Sequence, residues 1–126
     1  MGTSSIQALK NNHLFVSNKI VASLSAIATG QTQTVFTAES SGRIVAAYIY
    51  PTTGQTSATV DVQKSTSTSM IESTLAAAAT TGAVAIGEAA SSAYKFAVGD
   101  TIKLVTGGGY SGNITADVIL DVVWDD

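Results

Sequence analysis

Four carboxylates near the C-terminus are the first residues whose type and spacing suggest chemistry: Asp117, Asp121, Asp125 and Asp126. On an extended strand Asp117 and Asp121 lie four residues apart, roughly 13 Å at the usual rise. Calcium oxygens sit only about 2.3–2.6 Å from the ion, so these two cannot share one. The pattern reads as a solvated strand face, and either residue joins a site only with groups from another strand or subunit. Gly107-Gly108-Gly109-Tyr110-Ser111-Gly112 formally matches G-x-G-x-x-G and follows a strand. Dinucleotide binding needs a helix next, whose N-terminal amides hold the pyrophosphate. Here a strand follows, so the run reads as a hairpin loop.

His13 is the single histidine, in a stretch without periodicity. A Ser-His-Asp triad needs that base held rigidly by a third group, so a surface residue is the better reading. Asn113-Ile114-Thr115 is a glycosylation sequon that, without a secretory signal, marks only an Asn in a turn. Tyr48, Tyr50, Tyr94, Tyr110 and Trp124 offer rings for sugar stacking. Tyr48 and Tyr50 share a strand face, which favours packing in the core or on the sheet surface, whereas Tyr110 falls on a loop tip. The absence of cysteine removes disulfides, thiolate metal sites and Cys nucleophiles together. No catalytic, cofactor-binding or metal-binding residue is assigned, and no enzyme is expected.

Any function must therefore come from architecture. A chain of 126 residues makes one domain and buries roughly two thirds of its unfolded surface, enough for a core without staples. Hydrophobic residues make up 45% and charged residues only 12%, about half the usual charged share. Ser, Thr, Ala and Gly fill the gap, a surface suited to packing against other proteins. The net charge of −3 offers no basic patch to displace counterions from phosphates, so nucleic acid is not an expected partner. No apolar run is long enough to span a bilayer as a helix, and no membrane partner is expected. Residues 1–20 lack the continuous apolar core of a signal peptide. Myristoylation is excluded by Ile6, which stands where its motif needs Ser or Thr.

The element that organises the rest is 43–64. Ile44-Val45-Ala46-Ala47-Tyr48-Ile49-Tyr50 carries no charge and reads as a central strand. Pro51 to Gln55 reads as a turn, since Pro has no N–H to give and Gly54 tolerates unusual backbone angles. Ala58, Val60 and Val62 then alternate with Thr59, Asp61 and Gln63, one buried face and one wet face. This second strand is expected to pair with the first. Lys19 to Ala28 is a first strand alternating Ile20, Ala22, Leu24 and Ala26, and Gln33 to Thr37 a second anchored by Phe36. Met70-Ile71-Glu72 begins a short strand, and 73–93 reads as short extended pieces and loop. Phe96 to Asp100 is a tight corner into the strand Thr101 to Val105. The last strand places Ile114, Ala116, Val118, Leu120, Val122 and Trp124 on one face. Short strands joined by Gly and Ser/Thr turns, without a strong amphipathic helix, predict an all-β chain: one antiparallel β-sandwich, jelly-roll or Ig-like, over 19–126. Inward positions should include Phe36, Ile44 or Val45, Tyr48 or Ile49, Val60, Val62, Ile102, Leu104, Val118 and Leu120.

Residues 1–18 form a separate N-terminal arm. Ile6 and Leu9 share one side of a possible helical turn, Asn11-Asn12-His13 breaks it, and Leu14-Phe15-Val16 is a short apolar run. Such a stretch is a frayed terminus, an arm that orders by docking, or an added strand. The docking reading makes Ile6, Leu9, Leu14, Phe15 and Val16 the partner-binding residues, with Leu14 and Phe15 as anchors.

Gly42 to Tyr50, Thr59 to Lys64, Phe96 to Leu104 and Asp117-Val118-Ile119-Leu120 together resemble small β-sandwich virion proteins of tailed bacteriophages. The likeness covers roughly 22–123 and lies in strands and corners. In that family the Val-Asp-Val-x-Lys strand is usually followed by Asn-Gly, where this chain has Ser65-Thr66-Ser67. The resemblance implies a capsid decoration (cement) protein, commonly homotrimeric, made in the host cytoplasm and seated on the capsid surface against the major capsid protein. The alternative that it implies is a receptor- or glycan-binding module of a fibre, neck or tail appendage.

Overall fold

Ten strands account for the regular structure of the computed structural model, which describes residues 18–65, 68–78, 83–86 and 93–125. They are β1 (Asn18–Ile27), β2 (Thr32–Thr37), β3 (Gly42–Thr53), β4 (Thr59–Lys64), β5 (Thr68–Ser69), β6 (Leu75–Ala76), β7 (Ala83–Ile86), β8 (Lys95–Phe96), β9 (Thr101–Gly107) and β10 (Ile114–Trp124). All pairings are antiparallel. One sheet runs β1-β10-β3-β7 with β8 also on β3, and the other β2-β9-β4-β5 with β6 also on β4.

The pairs are nested. β1 meets β10, β2 meets β9, β3 meets β7 and β8, and β4 meets β5 and β6. This is one long hairpin rolled over on itself, the jelly-roll order among the two alternatives. The expected all-β sandwich is therefore what the chain forms.

Period-two alternation explains which side of each strand is inside. On β4 and β9 it is strict: Val60, Val62, Ile102 and Leu104 are buried and meet Leu24, Ile44, Ile49, Val118 and Leu120 of the facing sheet. On β3 the register slips between Asp121 and Val122 of its partner, so Val45 is bypassed and the inward set becomes Ile44, Ala47 and Ile49. The open choices resolve to Ile44 and Ile49, and Phe36 is half-buried against the core. The rings of Phe36, Phe96 and Trp124 close one end of the sandwich edge-to-face, with centroids 5.4–5.8 Å apart.

Four expectations are corrected. β3 and β4 are not hairpin partners: each lies in a different sheet, and the link between them arches across the core. Pro51 is no turn residue but a buried member of β3. It sits opposite Ala116, where the β10 register shifts, and beyond the β7 ladder that ends at Ile49, so its missing N–H interrupts little. Ala26 leaves the inward alternation because a bulge intervenes between Leu24 and Ile27, giving it φ of 52°. The short strand expected from Met70 is instead β5 at Thr68–Ser69, with Met70 and Ile71 buried beyond it. Within 73–93, the short strands β6 and β7 match the expected extended pieces.

The glycine-rich run also crosses between sheets and is not a hairpin. Gly108, at φ +94°, is the position where only glycine fits: a Cβ there would come within 1.8 Å of the Ser57 carbonyl oxygen. Tyr110 is not at a loop tip. It is folded inward, 5% exposed, and its hydroxyl donates to the Ile27 carbonyl at 2.7 Å.

Replacing Leu120 by Ala removes a fully buried side chain and should cost about 2–5 kcal/mol in chemical denaturation. Gly108→Ala should destabilise far more than Gly99→Ala, whose Cβ meets nothing within 4 Å; equal effects would mean that the loop is free to move off Ser57.

Candidate functional site: the outer face of the β1-β10-β3 sheet

The residues of β1, β10 and β3 that point away from the core form cross-strand rows. Lys19, Asp121 and Ala46 make the first, Val21, Ile119 and Tyr48 the second, and Ser23, Asp117 and Tyr50 the third. Val21 is 60% exposed and Tyr50 48%. Lys19, Tyr48, Tyr50 and Ile119 line an open hollow of about 240 Å³. The opposite outer face, on β2, β9 and β4, is mainly polar, with Thr34, Lys103, Asp61 and Gln63. There Gln63 Nε2 and Ser69 Oγ both donate to the Asp61 carboxylate, at 3.0 and 2.7 Å. Of the two outer sheet faces, this one carries the large exposed apolar and aromatic side chains among the described residues.

Asp121 anchors this face. As a residue of the middle strand it has neighbours on both sides, and it is 7% exposed. A carboxylate so covered must be paired. The Lys19 ammonium donates to one oxygen and the Tyr48 hydroxyl to the other, the latter at 3.1 Å. Lys19 Nζ also lies 5.6 Å from the centre of the Tyr48 ring, within cation–π range. The solvated face expected for the aspartates therefore holds for Asp117, exposed and bound by Ser23 Oγ at 2.8 Å, but fails for Asp121. Asp125 lies 3.9 Å from the Arg43 guanidinium.

The hydrogen bond to Asp121 is the main reason that Lys19 holds its proton more tightly than usual, and the same bond raises Tyr48. Both groups favour their protonated forms in the folded chain. Their stabilisation is complete below the ordinary values of 10.0 for Tyr and 10.5 for Lys, and is lost as pH rises through the elevated folded values.

Among the described residues no cluster of three or more His, Asp or Glu side chains could hold a metal ion. His13 and the arm residues Ile6, Leu9, Leu14, Phe15 and Val16 lie outside the described residues. Of the predicted sugar-stacking rings, Tyr48 and Tyr50 come together on the outer face, while Tyr110 and Trp124 are elsewhere and packed inward. Sequence reading missed the Lys19–Asp121–Tyr48 network. Its only signal was that Asp121 stands mid-strand between apolar neighbours.

No protein-family model matches the chain, and no curated protein does. Among solved structures, it is similar to a chain of the cyanophage Pam1 capsid asymmetric unit. The two share 12% identity and superpose with a TM-score of 0.56 over 87% of each. At that identity the likeness is one of fold.

The paired network predicts a melting temperature level through neutral pH that falls on the alkaline side of pH 10. Asp121→Asn should flatten that alkaline fall, as followed by dichroism. An unchanged pH profile in the variant would remove the network from the account.

Proposed function

We propose that this chain is a non-enzymatic structural component of a bacteriophage virion, a decoration protein that binds the major capsid protein shell and stabilises it. The observation that carries the reading is the jelly roll superposable on a phage capsid chain over 87% of both. Jelly rolls recur in viral capsid proteins, where sheet-on-sheet packing gives rigid blocks with large flat faces. The low charge and the one-sided apolar face support it. Val21, Ile119, Tyr48 and Tyr50 form a patch rimmed by Lys19 and Asp117, the usual anatomy of a protein interface. The work of such a protein is burial of interface area between neighbouring shell subunits, and it needs no bond-making.

In this reading the protein self-associates with closed symmetry, by preference as a trimer. Ile6, Leu9, Leu14, Phe15 and Val16 are the arm residues available for docking on a neighbouring protomer or the capsid. The second reading, a glycan-binding module of a fibre or appendage, is favoured by one feature, the half-exposed Tyr50 ring beside Tyr48 and the hollow that they line. Jelly rolls also occur among lectins.

Two measurements separate these. Sedimentation at micromolar concentration should give a trimer, and the protein should bind undecorated capsids of its parent phage. Replacing Tyr50 and Val21 by Asp should weaken capsid binding at least tenfold, about 1.4 kcal/mol, while leaving the far-UV spectrum intact. A monomer that ignores capsids but binds host-surface glycans through Tyr50 would favour the second reading and defeat the first.

A further inference from the structure

The edge of a sheet carries a row of unpaired N–H and C=O groups, and proteins guard such edges by keeping them short, bulging them or setting charges on them. Among the described residues every sheet edge but one is short or bulged. β5, β6 and β8 are two residues long and β7 is four, and the β2 ladder slips between Thr34 and Phe36. β1 differs. Its pairing with β10 runs without a slip from Asn18 to Leu24, and no strand among the described residues pairs with its other side.

The hydrogen bonds identify which groups of β1 lie on that edge. Asp125 N–H donates to the Ser41 carbonyl, on the β3 side of β10, at 3.0 Å. Alternate residues of a strand direct their backbone groups to opposite sides, so the odd-numbered residues of β10 serve β3 and the even-numbered ones serve β1. Ile20, Ala22 and Leu24, opposite Leu120, Val118 and Ala116, take those bonds. Lys19, Val21 and Ser23 therefore turn their N–H and C=O groups to the open edge. Gln33 agrees: its Nε2 reaches over from β2 and donates to the Ser23 carbonyl at 3.0 Å, which guards that position. The bulge between Leu24 and Ile27 guards the rest. The unguarded window is Lys19 and Val21. Lys19 is the charge that would ordinarily repel a second strand, but its ammonium is drawn onto Asp121.

We propose that this window pairs with the same window of a second copy of the chain, antiparallel about a two-fold axis at Ile20. Lys19 of one copy and Val21 of the other then exchange both of their N–H···O=C bonds, and the axis repeats the exchange. A longer foreign strand would run into Gln33 at Ser23, whereas two windows of equal size fit each other. Ile20 stands directly opposite Ile20 of the second copy, at the closer of the two antiparallel spacings. Each covers a side chain that is only half-buried although it packs on the core. On the outer face the aliphatic stem of each Lys19 lies beside Val21 of the second copy, which is 60% exposed in the single chain. Neither lysine stands opposite the other, so like charges do not meet. The two β1-β10-β3 sheets join into one, and their aromatic faces become one continuous surface. The contact is isologous and goes beyond the association proposed above: a threefold assembly that used it as well would contain twice as many chains.

The test uses the full chain alone, by sedimentation and by amide hydrogen exchange, and so is independent of any virion role. Val21→Pro removes an N–H that points to the open edge and leaves the β10 ladder whole, a place where a strand tolerates Pro. The variant should sediment at half the mass of the unmodified chain, its dissociation constant raised at least tenfold. In the unmodified chain the Lys19 and Val21 amides should be protected. In the variant the Lys19 amide should exchange freely, while those of Ile20 and Ala22 stay protected in both proteins. If Val21→Pro fails to fold by dichroism, Val21→Lys takes its place, an exposed substitution that sets an ammonium opposite Lys19 of the second copy. Three results overturn the proposal: equal mass for the unmodified chain and the foldable variant, free exchange of Lys19 and Val21 in the unmodified chain, or Lys19 protection that survives in a variant of half the mass. The last would mean that the edge is covered from within one chain.

Discussion

β10 has to be paired on both edges at once, and most of the architecture follows from that constraint. Its eleven residues lie between β1 and β3. Its inward side chains, Ile114, Ala116, Val118, Leu120 and Val122, are buried almost without exposure. Such a strand can be satisfied only if the first and third strands of the chain come to it from opposite sides. That requirement wraps the hairpin and puts β2 and β4 on either side of β9 in the second sheet. Thr106 then braces the wrapped turn. Buried on β9, it accepts the Gln31 N–H at 2.9 Å and donates to the Ala28 carbonyl at 2.8 Å.

The same constraint shapes the outer face. On β10 the outward Asp117 stays exposed, whereas Asp121 is covered and its two carboxylate oxygens are taken up by Lys19 and Tyr48. Exposed surface ion pairs are worth little. This pair differs because one partner is covered, and Lys19 and Asp121 both engage Tyr48, the one 5.6 Å from its ring centre and the other through its hydroxyl. The outcome is a firm aromatic patch with few long mobile side chains to immobilise. That lowers the ordering cost of association. A face of this type suits binding to another protein better than a diffuse polar surface such as that formed by Asp61, Gln63 and Lys103.

What was legible in the sequence was alternation. β4, β9 and β10 each keep it over six residues or more, and their inward sets could be read directly. Where the backbone slips by one residue, alternation misleads, as at Ala26 and Val45, because a bulge leaves no mark in the pattern of apolar residues. Two-residue strands such as β5, β6 and β8 have no period at all. Partnership was illegible for another reason. Pro51 and Gly54 suggested a chain reversal, but local composition does not distinguish a hairpin within one sheet from an arch between two. Tyr110 and Asp121 were misplaced alike: loop and strand membership were correct, but burial depended on β1, which is remote in sequence.

A rolled double sheet forms the centre of the molecule, and its outer faces are what it offers to other molecules. The proposed virion role is tested most directly by cryo-electron microscopy of phage particles that encode the chain. The account predicts density for this jelly roll on the outside of the capsid, with the Val21, Tyr48, Tyr50 and Ile119 face against a neighbouring protein subunit. A particle whose shell lacks the chain, or that carries it with this face open to solvent, would contradict it.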